Sequence, residues 1–210
     1  MKTLLTAFLM LLISGAACAE SGSFQFQPTR QAIPTDDAAK VEVTELFWYG
    51  CPHCHDLEPY ISVWVKKLPQ DVVFKRVPAV PRPDWVPGGR AYYTMEALGV
   101  LEKLHTPFFE AIHKQRAVNP SDDKAIIDWI TKNSGLDKQK VADAYNSFSV
   151  NTKLQRAMQT FSASGATGVP TLIVDGKYIT SISMSGGLEQ TLQVADQLIV
   201  KARAEKTGKK

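Results

Sequence analysis

A strand signal that runs straight into a Cys-x-x-Cys pair constrains this chain more than any other feature. Val41 to Trp48 (Val-Glu-Val-Thr-Glu-Leu-Phe-Trp) is rich in β-branched and aromatic residues, alternates at first, and ends at Gly50. That pattern reads as a strand entering a turn. Cys51-Pro52-His53-Cys54 follows at once, with Pro52 where a helix tolerates proline best, at its first position. Leu57, Tyr60, Ile61, Trp64, Val65 and Leu68 recur at spacings of three and four up to Pro69, so an amphipathic helix opens at Cys51. Val72 to Val77 is a second strand candidate, and the three elements make a β-α-β half.

The stretch Pro78 to Gly89, rich in proline and ending in Gly88-Gly89, reads as an irregular connection. From about Arg90 to Ala163 the signals are helical. Tyr92, Met95, Leu98 and Leu101 share a face, and Asn119-Pro120 reads as the cap and first turn of a helix carrying Ile126, Ile127 and Ile130. Gly135 stops that helix, and Asp137 caps the next, with Val141, Ala144, Tyr145 and Phe148 on one face. A further helix carries Leu154, Met158 and Phe161 before Gly165; the Met and aromatic residues of this block read as core. Thr171 to Val174, the turn Asp175-Gly176 and Tyr178 to Ile182 make a β-hairpin, and Leu188 to Ala202 is a final amphipathic helix. The class is α/β: a β-α-β half, a helical block, and a β-β-α half.

Lys2, the apolar run Leu4 to Ile13 and the small residues Ala17 and Ala19 read as a secretory signal peptide spanning 1–19 and cleaved before Glu20. The apolar run is about ten residues, well short of the roughly 20 that span a bilayer. Cys18 would suit a lipoprotein signal, but Gly15 stands where such a signal carries a larger aliphatic residue. Cleavage reduces three cysteines to Cys51 and Cys54. The 210 residues, 44% of them hydrophobic, can bury one sizeable core, and a net charge of +3 gives no electrostatic case for nucleic acid. Arg203, Lys206, Lys209 and Lys210 read as a solvated basic tail.

A disulfide closing two intervening residues restrains little unfolded-chain entropy, so stapling explains the Cys51–Cys54 pair poorly. Redox chemistry explains it better. At a helix start the two sulfurs lie one turn apart on one face, near enough to bond, and the first meets the unpaired amides at the positive end of the helix dipole. Those amides favour a Cys51 thiolate, which stabilises the dithiol and makes the disulfide more oxidising. Cys54 is then the buried resolving thiol, and His53 adds a donor or partial positive charge beside Cys51. Two other chemistries share the letters. Cys51 to His55 is also C-x-x-C-H, the c-type haem attachment pattern, although a strong strand before it and a hairpin after it do not belong to a small helical haem domain. Zinc or copper could draw on the two cysteines with His55, His105 or His113, but no second Cys/His cluster has ligand spacing. These three histidines read as surface or half-buried.

Glu45-Leu-Phe-Trp-Tyr-Gly-Cys51-Pro-His-Cys54, the distant Gly168-Val-Pro-Thr171 and the helical block between them closely resemble the DsbA family of periplasmic thiol:disulfide oxidoreductases, over nearly the whole mature chain. The resemblance implies a thioredoxin fold with an inserted all-helical domain: 20–89 and 164–204 for the first, 90–163 for the second, and 205–210 as a disordered tail. It implies Cys51, Pro52, His53 and Cys54 as the catalytic segment, Val169 and a cis Pro170 as the substrate-binding loop, and Glu45 and Glu58 as supporting acidic groups. No cofactor is implied beyond the Cys51–Cys54 disulfide. The partners are reduced exported proteins and a DsbB-like membrane quinone oxidoreductase, and the enzyme would be a periplasmic monomer. A reductase or isomerase is the alternative within the same chemistry. Gly50 departs from the bulky residue often found there, and Trp48 and Tyr49 would make the rim of the site aromatic.

Overall fold

The computed structural model describes residues 25–208, so the signal-peptide and cleavage readings, Cys18, Lys209 and Lys210 lie outside the described residues. Five strands form one mixed sheet in the order β1-β5-β4-β2-β3. β1 is Gln27–Pro28, β2 Val41–Phe47, β3 Val72–Pro78, β4 Thr171–Val174 and β5 Tyr178–Ser181. β2 pairs in parallel with β3 from Val41↔Val72 to Phe47↔Pro78, and antiparallel with β4 on its other side. The parallel pair needs a crossover, and α1 (Pro52–Val65) supplies it. Leu68 falls in the turn beyond the end of α1, outside the helix that its spacing suggested.

Every residue of β2 is buried, although Glu42, Thr44 and Glu45 interrupt its apolar pattern. Side chains alternate between faces along a strand. Val41 and Val43 lie under α8 (Leu188–Lys206), packed on Val194 and Leu198, and Glu45 shares that face. Leu46 lies on the other face with Ile173 and Ile179, covered by Ile33 and Phe161. Central position, not local hydrophobicity, therefore buries the acids, and β3 supplies the cations that satisfy them: Lys75 at 2.9 Å from Glu42 and Arg76 at 3.0 Å from Glu45.

Helices α2 (Val86–Ala97), α3 (Leu101–His113), α4 (Asp123–Ser134), α5 (Lys138–Tyr145) and α6 (Phe148–Ser164) lie between β3 and β4 in the chain. This is the thioredoxin fold with a helical insertion. Several details differ from the sequence reading. The connection after β3 is not irregular to its end, because α2 already runs through Gly88 and Gly89, both buried. A Cβ on Gly88 would press on the Trp48 indole and one on Gly89 on Leu154, so their smallness lets the helix pack closely. Gly99, at φ 69°, separates α2 from α3, which puts Leu101 on a new helix rather than on the face of Tyr92. Asn119-Pro120 forms a turn, and the cap of α4 is Asp122, which accepts from the Ala125 amide at 3.0 Å. Phe148 opens α6 and is 87% exposed, and Met158 is also exposed, so neither is core.

After the hairpin, α7 (Ile182–Ser185) is a single turn without a sequence signal. The final helix α8 outruns its apolar pattern, continuing past Ala202 to Lys206. The basic residues there are docked rather than frayed: Arg203 holds Asp71 through two bonds of 2.6 and 2.9 Å, and Lys206 lies 2.8 Å from Asp175. Glu205, expected in a disordered tail, joins Lys177 and Tyr178.

Asp175 and Gly176 both take positive φ, 53° and 65°, as a tight hairpin turn requires. A Cβ at Gly176 would overlap the backbone carbonyl of Ile33, whose amide donates to the Gly176 carbonyl at 3.0 Å. Gly176→Ala therefore combines left-handed strain with a backbone clash, and is expected to cost at least about 2 kcal/mol. A urea melt checks this through a lower midpoint at unchanged slope.

Candidate active site

β2 ends at Phe47, and Trp48, Tyr49 and Gly50 carry the chain to Cys51, the N-cap of α1. Cys51 is extended at φ −88°, ψ 117°; its amide donates to the Trp48 carbonyl at 3.0 Å, and its own carbonyl accepts from Cys54 and His55. Pro52 occupies the start of the helix, where it withholds a hydrogen that would find no partner, and the nearby His53 and Cys54 amides favour a thiolate at Cys51. Pro52 and His53 are exposed, whereas Cys54 is fully buried. Both cysteines are thiols.

The Cys51 sulfur lies 3.4 Å from the Val169 carbonyl, to which the thiol donates, and the Val169–Pro170 bond is cis. The fold thus brings Cys51, Cys54, Val169 and Pro170 together from opposite ends of the chain. The Cys51 thiol is held down to about 6, first by a hydrogen bond from the Cys54 thiol, then by the amides of Cys54 and His53 and the charge of His53, against the opposing effect of burial. Cys54 goes the other way: burial, and the neighbouring Cys51, push it well above the usual thiol range. One environment has split two identical groups into an attacking or leaving thiolate and a protonated partner.

Beneath Cys54 lies a charged network. Arg76 bonds Glu45 at 3.0 Å and Glu58 at 3.1 Å, while Ser62 donates to Glu58 at 2.9 Å and His105 stands 3.5 Å from it. Burial raises the Glu45 carboxyl to about 7 despite Arg76, with the Glu58 charge assisting. For Glu58, burial is outweighed by His105, Arg76 and Ser62, which hold it below its ordinary value. Burial pushes the His105 imidazole below its ordinary value, against the opposing pull of Glu58. Its Nε2 faces Glu58 at 3.5 Å, and its Nδ1 lies 2.7 Å from the Tyr49 hydroxyl. A cleft of about 1450 Å³ runs along β3 and opens on Glu58, Arg76 and His105 rather than on the thiols.

Two placements differ from the sequence reading, those of Tyr49 and His105. Tyr49 is no part of an aromatic rim: it is 1% exposed and packs on Phe108 and Phe109. Trp48 alone reaches the surface, stacked on Trp85 at 4.2 Å, and Gly50 lies against its ring so closely that a Cβ would overlap it. His105 is buried, and His113 and His55 are half-buried and stacked on each other at 5.0 Å. The sequence reading missed Arg76, although aligning the starts of the two parallel strands sets it opposite Glu45. His105 was legible too, on the stripe of Leu101, Leu104, Phe108 and Phe109 in α3. Among the described residues no group of three His, Cys, Asp or Glu side chains is arranged to hold a metal ion.

The profile of the DSBA-like thioredoxin domain family matches residues 71–198. The thiol:disulfide interchange protein DsbA of Pseudomonas aeruginosa is 42% identical over 172 residues, 82% of this chain and 81% of its own length. The protein of the same name from Burkholderia cepacia is 38% identical over 216 residues, covering 98% of this chain and all of its own. The crystal structure of Pseudomonas aeruginosa DsbA superposes with a TM-score of 0.81 at 39% identity, over 88% of this chain and 95% of that one. The oxidoreductase DsbA from Xylella fastidiosa gives 0.78 at 29% identity, over 86% and 96%.

The split between the thiols sets a pH dependence. A thiol lowered in the folded dithiol from 9.0 to about 6 contributes stability that is complete above pH 9 and is lost as pH falls through about 6. At pH 7 the contribution is about 1.4 kcal/mol, or about 30 mV toward a more oxidising couple. Alkylation of the reduced protein should therefore label Cys51 with a midpoint near pH 6 and leave Cys54 unmodified through neutrality, as peptide mass mapping reads directly.

Proposed function

This chain belongs to the DsbA-like thioredoxin family and is a thiol:disulfide oxidoreductase, and from that premise we propose that it works as a donor of disulfides to folding exported proteins in the periplasm. The observation that carries the direction is the contrast at the thiols: Cys51 at the helix start with a stabilised thiolate, Cys54 buried and protonated.

In the oxidised enzyme a substrate thiolate attacks the Cys51 sulfur, forming a mixed disulfide and expelling Cys54. Cys54 takes up a proton, as its raised affinity dictates. Glu45, with a carboxyl near 7 whose charge Cys54 feels, sits where a proton can be held, and Glu58 and Arg76 fix its charge state. A second substrate thiolate then attacks the substrate sulfur of the mixed disulfide. It leaves as the substrate disulfide, and Cys51 departs as the thiolate that His53 and the first-turn amides stabilise. Pro52 keeps that turn open. Two electrons have passed to the enzyme, and a DsbB-like membrane quinone oxidoreductase removes them, so no further cofactor is required. Substrate lies extended beside Val169 and Pro170 and pairs with backbone there as an added strand. The protein is read as acting as a monomer; among the described residues ahead of β2 the only strand is the short β1.

Replacing each cysteine in turn tests the roles. Cys51→Ser is expected to abolish oxidation of a reduced dithiol peptide; Cys54→Ser, given a peptide disulfide, is expected to accumulate a mixed disulfide through Cys51, whose thiolate attacks the disulfide and releases one peptide thiol, since no Cys54 remains to resolve it. Accumulation of the adduct in Cys51→Ser instead would reverse the assignment.

A further inference from the structure

Both flanks of the Cys51–Cys54 segment are touched by one side chain from α3. His113 Nε2 lies 2.7 Å from the Tyr49 carbonyl; a carbonyl only accepts, so the ring carries a proton on Nε2 and donates it. The same imidazole stacks on His55, which directly follows Cys54, with centroids 5.0 Å apart and planes inclined by 28°. Phe109, one turn earlier on α3, backs both rings at 6.1 and 6.2 Å. The charged and titratable groups around the ring are His55 and Asp56 from α1 and Glu110 and Lys114 from α3, the last two paired with each other at 2.8 Å.

Tyr49 is separated from Cys51 only by Gly50, the most pliable residue a chain can place there. Packing on Phe108 and Phe109 and the hydroxyl bond to His105 hold the Tyr49 side chain, while His113 holds its carbonyl, so loss of that bond loosens the backbone just where Gly50 leads into Cys51. We propose that His113 is a positioning residue for the reaction at Cys51, pinning the backbone before it and the helix turn after it so that the amides of α1 stay aimed at the sulfur. Hydrogen bonds to a thiolate weaken steeply as the donor swings out of line, which is why loss of the pin should be read at the sulfur itself. The proposal deepens the assignment of Cys51 as the reacting thiol and rests on it.

Two variants divide the contacts. His113→Phe keeps a ring of similar volume against His55 but cannot donate to Tyr49; His113→Gln can donate through its amide but loses the ring. The ultraviolet absorbance of the thiolate is followed against pH on each reduced protein, beside the rate of oxidation of a dithiol peptide. In His113→Phe the Cys51 midpoint should rise by about one pH unit and the rate fall roughly tenfold, while His113→Gln recovers most of both. A wild-type midpoint and rate in His113→Phe would overturn the proposal even if its melting temperature fell. So would His113→Gln as impaired as His113→Phe, since that would reduce the role to filling space. The midpoint is read without any substrate. A wild-type enzyme that did not oxidise the peptide would thus refute the function above and leave the midpoints to decide the role of His113.

Discussion

The meeting of the α1 N-terminus with the Cys51 sulfur is the interaction on which the rest of this structure depends. A helix start has amides without partners, and here Pro52 removes one of them while those of His53 and Cys54 serve the sulfur. The sheet exists, functionally, to deliver that helix start to one place. β2 is the central strand, buried along its length and paired on both sides, so the point where it releases the chain toward Cys51 is rigid. β4 begins at Thr171 on the other side of β2, which sets Val169 and Pro170 against the same sulfur. Stabilising a thiolate stabilises the reduced protein and leaves the disulfide untouched, so the geometry of one helix turn becomes a preference for giving disulfides away.

A charged network buried under the site follows from the same arrangement. Carboxylates on a central strand are costly unless paired, and breaking such a pair leaves an uncompensated charge. Glu45 and Glu58 share Arg76, and Glu58 also meets His105 from the helical insertion. The insertion is therefore tied to the thioredoxin-fold half by polar contacts as well as by the aromatic core around Phe47, Tyr49 and Phe109. Beside the packing of Phe108 and Phe109 on Tyr49, histidines of α3 meet the Tyr49 hydroxyl, the Tyr49 carbonyl and the His55 ring at the start of α1.

Much of this was legible in the sequence, for reasons that differ by element. β2, α1 and the hairpin at Asp175-Gly176 announce themselves through local chemistry: β-branched alternation, a proline at a helix start, two residues that accept positive φ. The Cys-Pro-His-Cys segment carries its chemistry in four letters. Features set by tertiary context were not legible. β1 has two residues and exists only because β5 offers an edge to pair with. Arg203 and Lys206 read as a solvated tail because their partners, Asp71 and Asp175, are remote in sequence. Tyr49 was placed on the rim because an aromatic beside an active site can face either way, and the hydroxyl partner that turns it inward, His105, lies on a helix in the insertion.

If an ionised Cys51 sets the redox poise, the pH dependence of the reduction potential carries its signature. Equilibrating the protein in glutathione buffers across the range from about pH 5 to pH 8 gives that dependence. While the dithiol binds two protons the potential falls by about 60 mV per pH unit, and once Cys51 is a thiolate it falls by about 30 mV per unit. A break between these slopes is expected near pH 6, with a potential at neutrality more oxidising than the roughly −270 mV of thioredoxin. A single steep slope through neutrality, with a potential at or below that of thioredoxin, would contradict it.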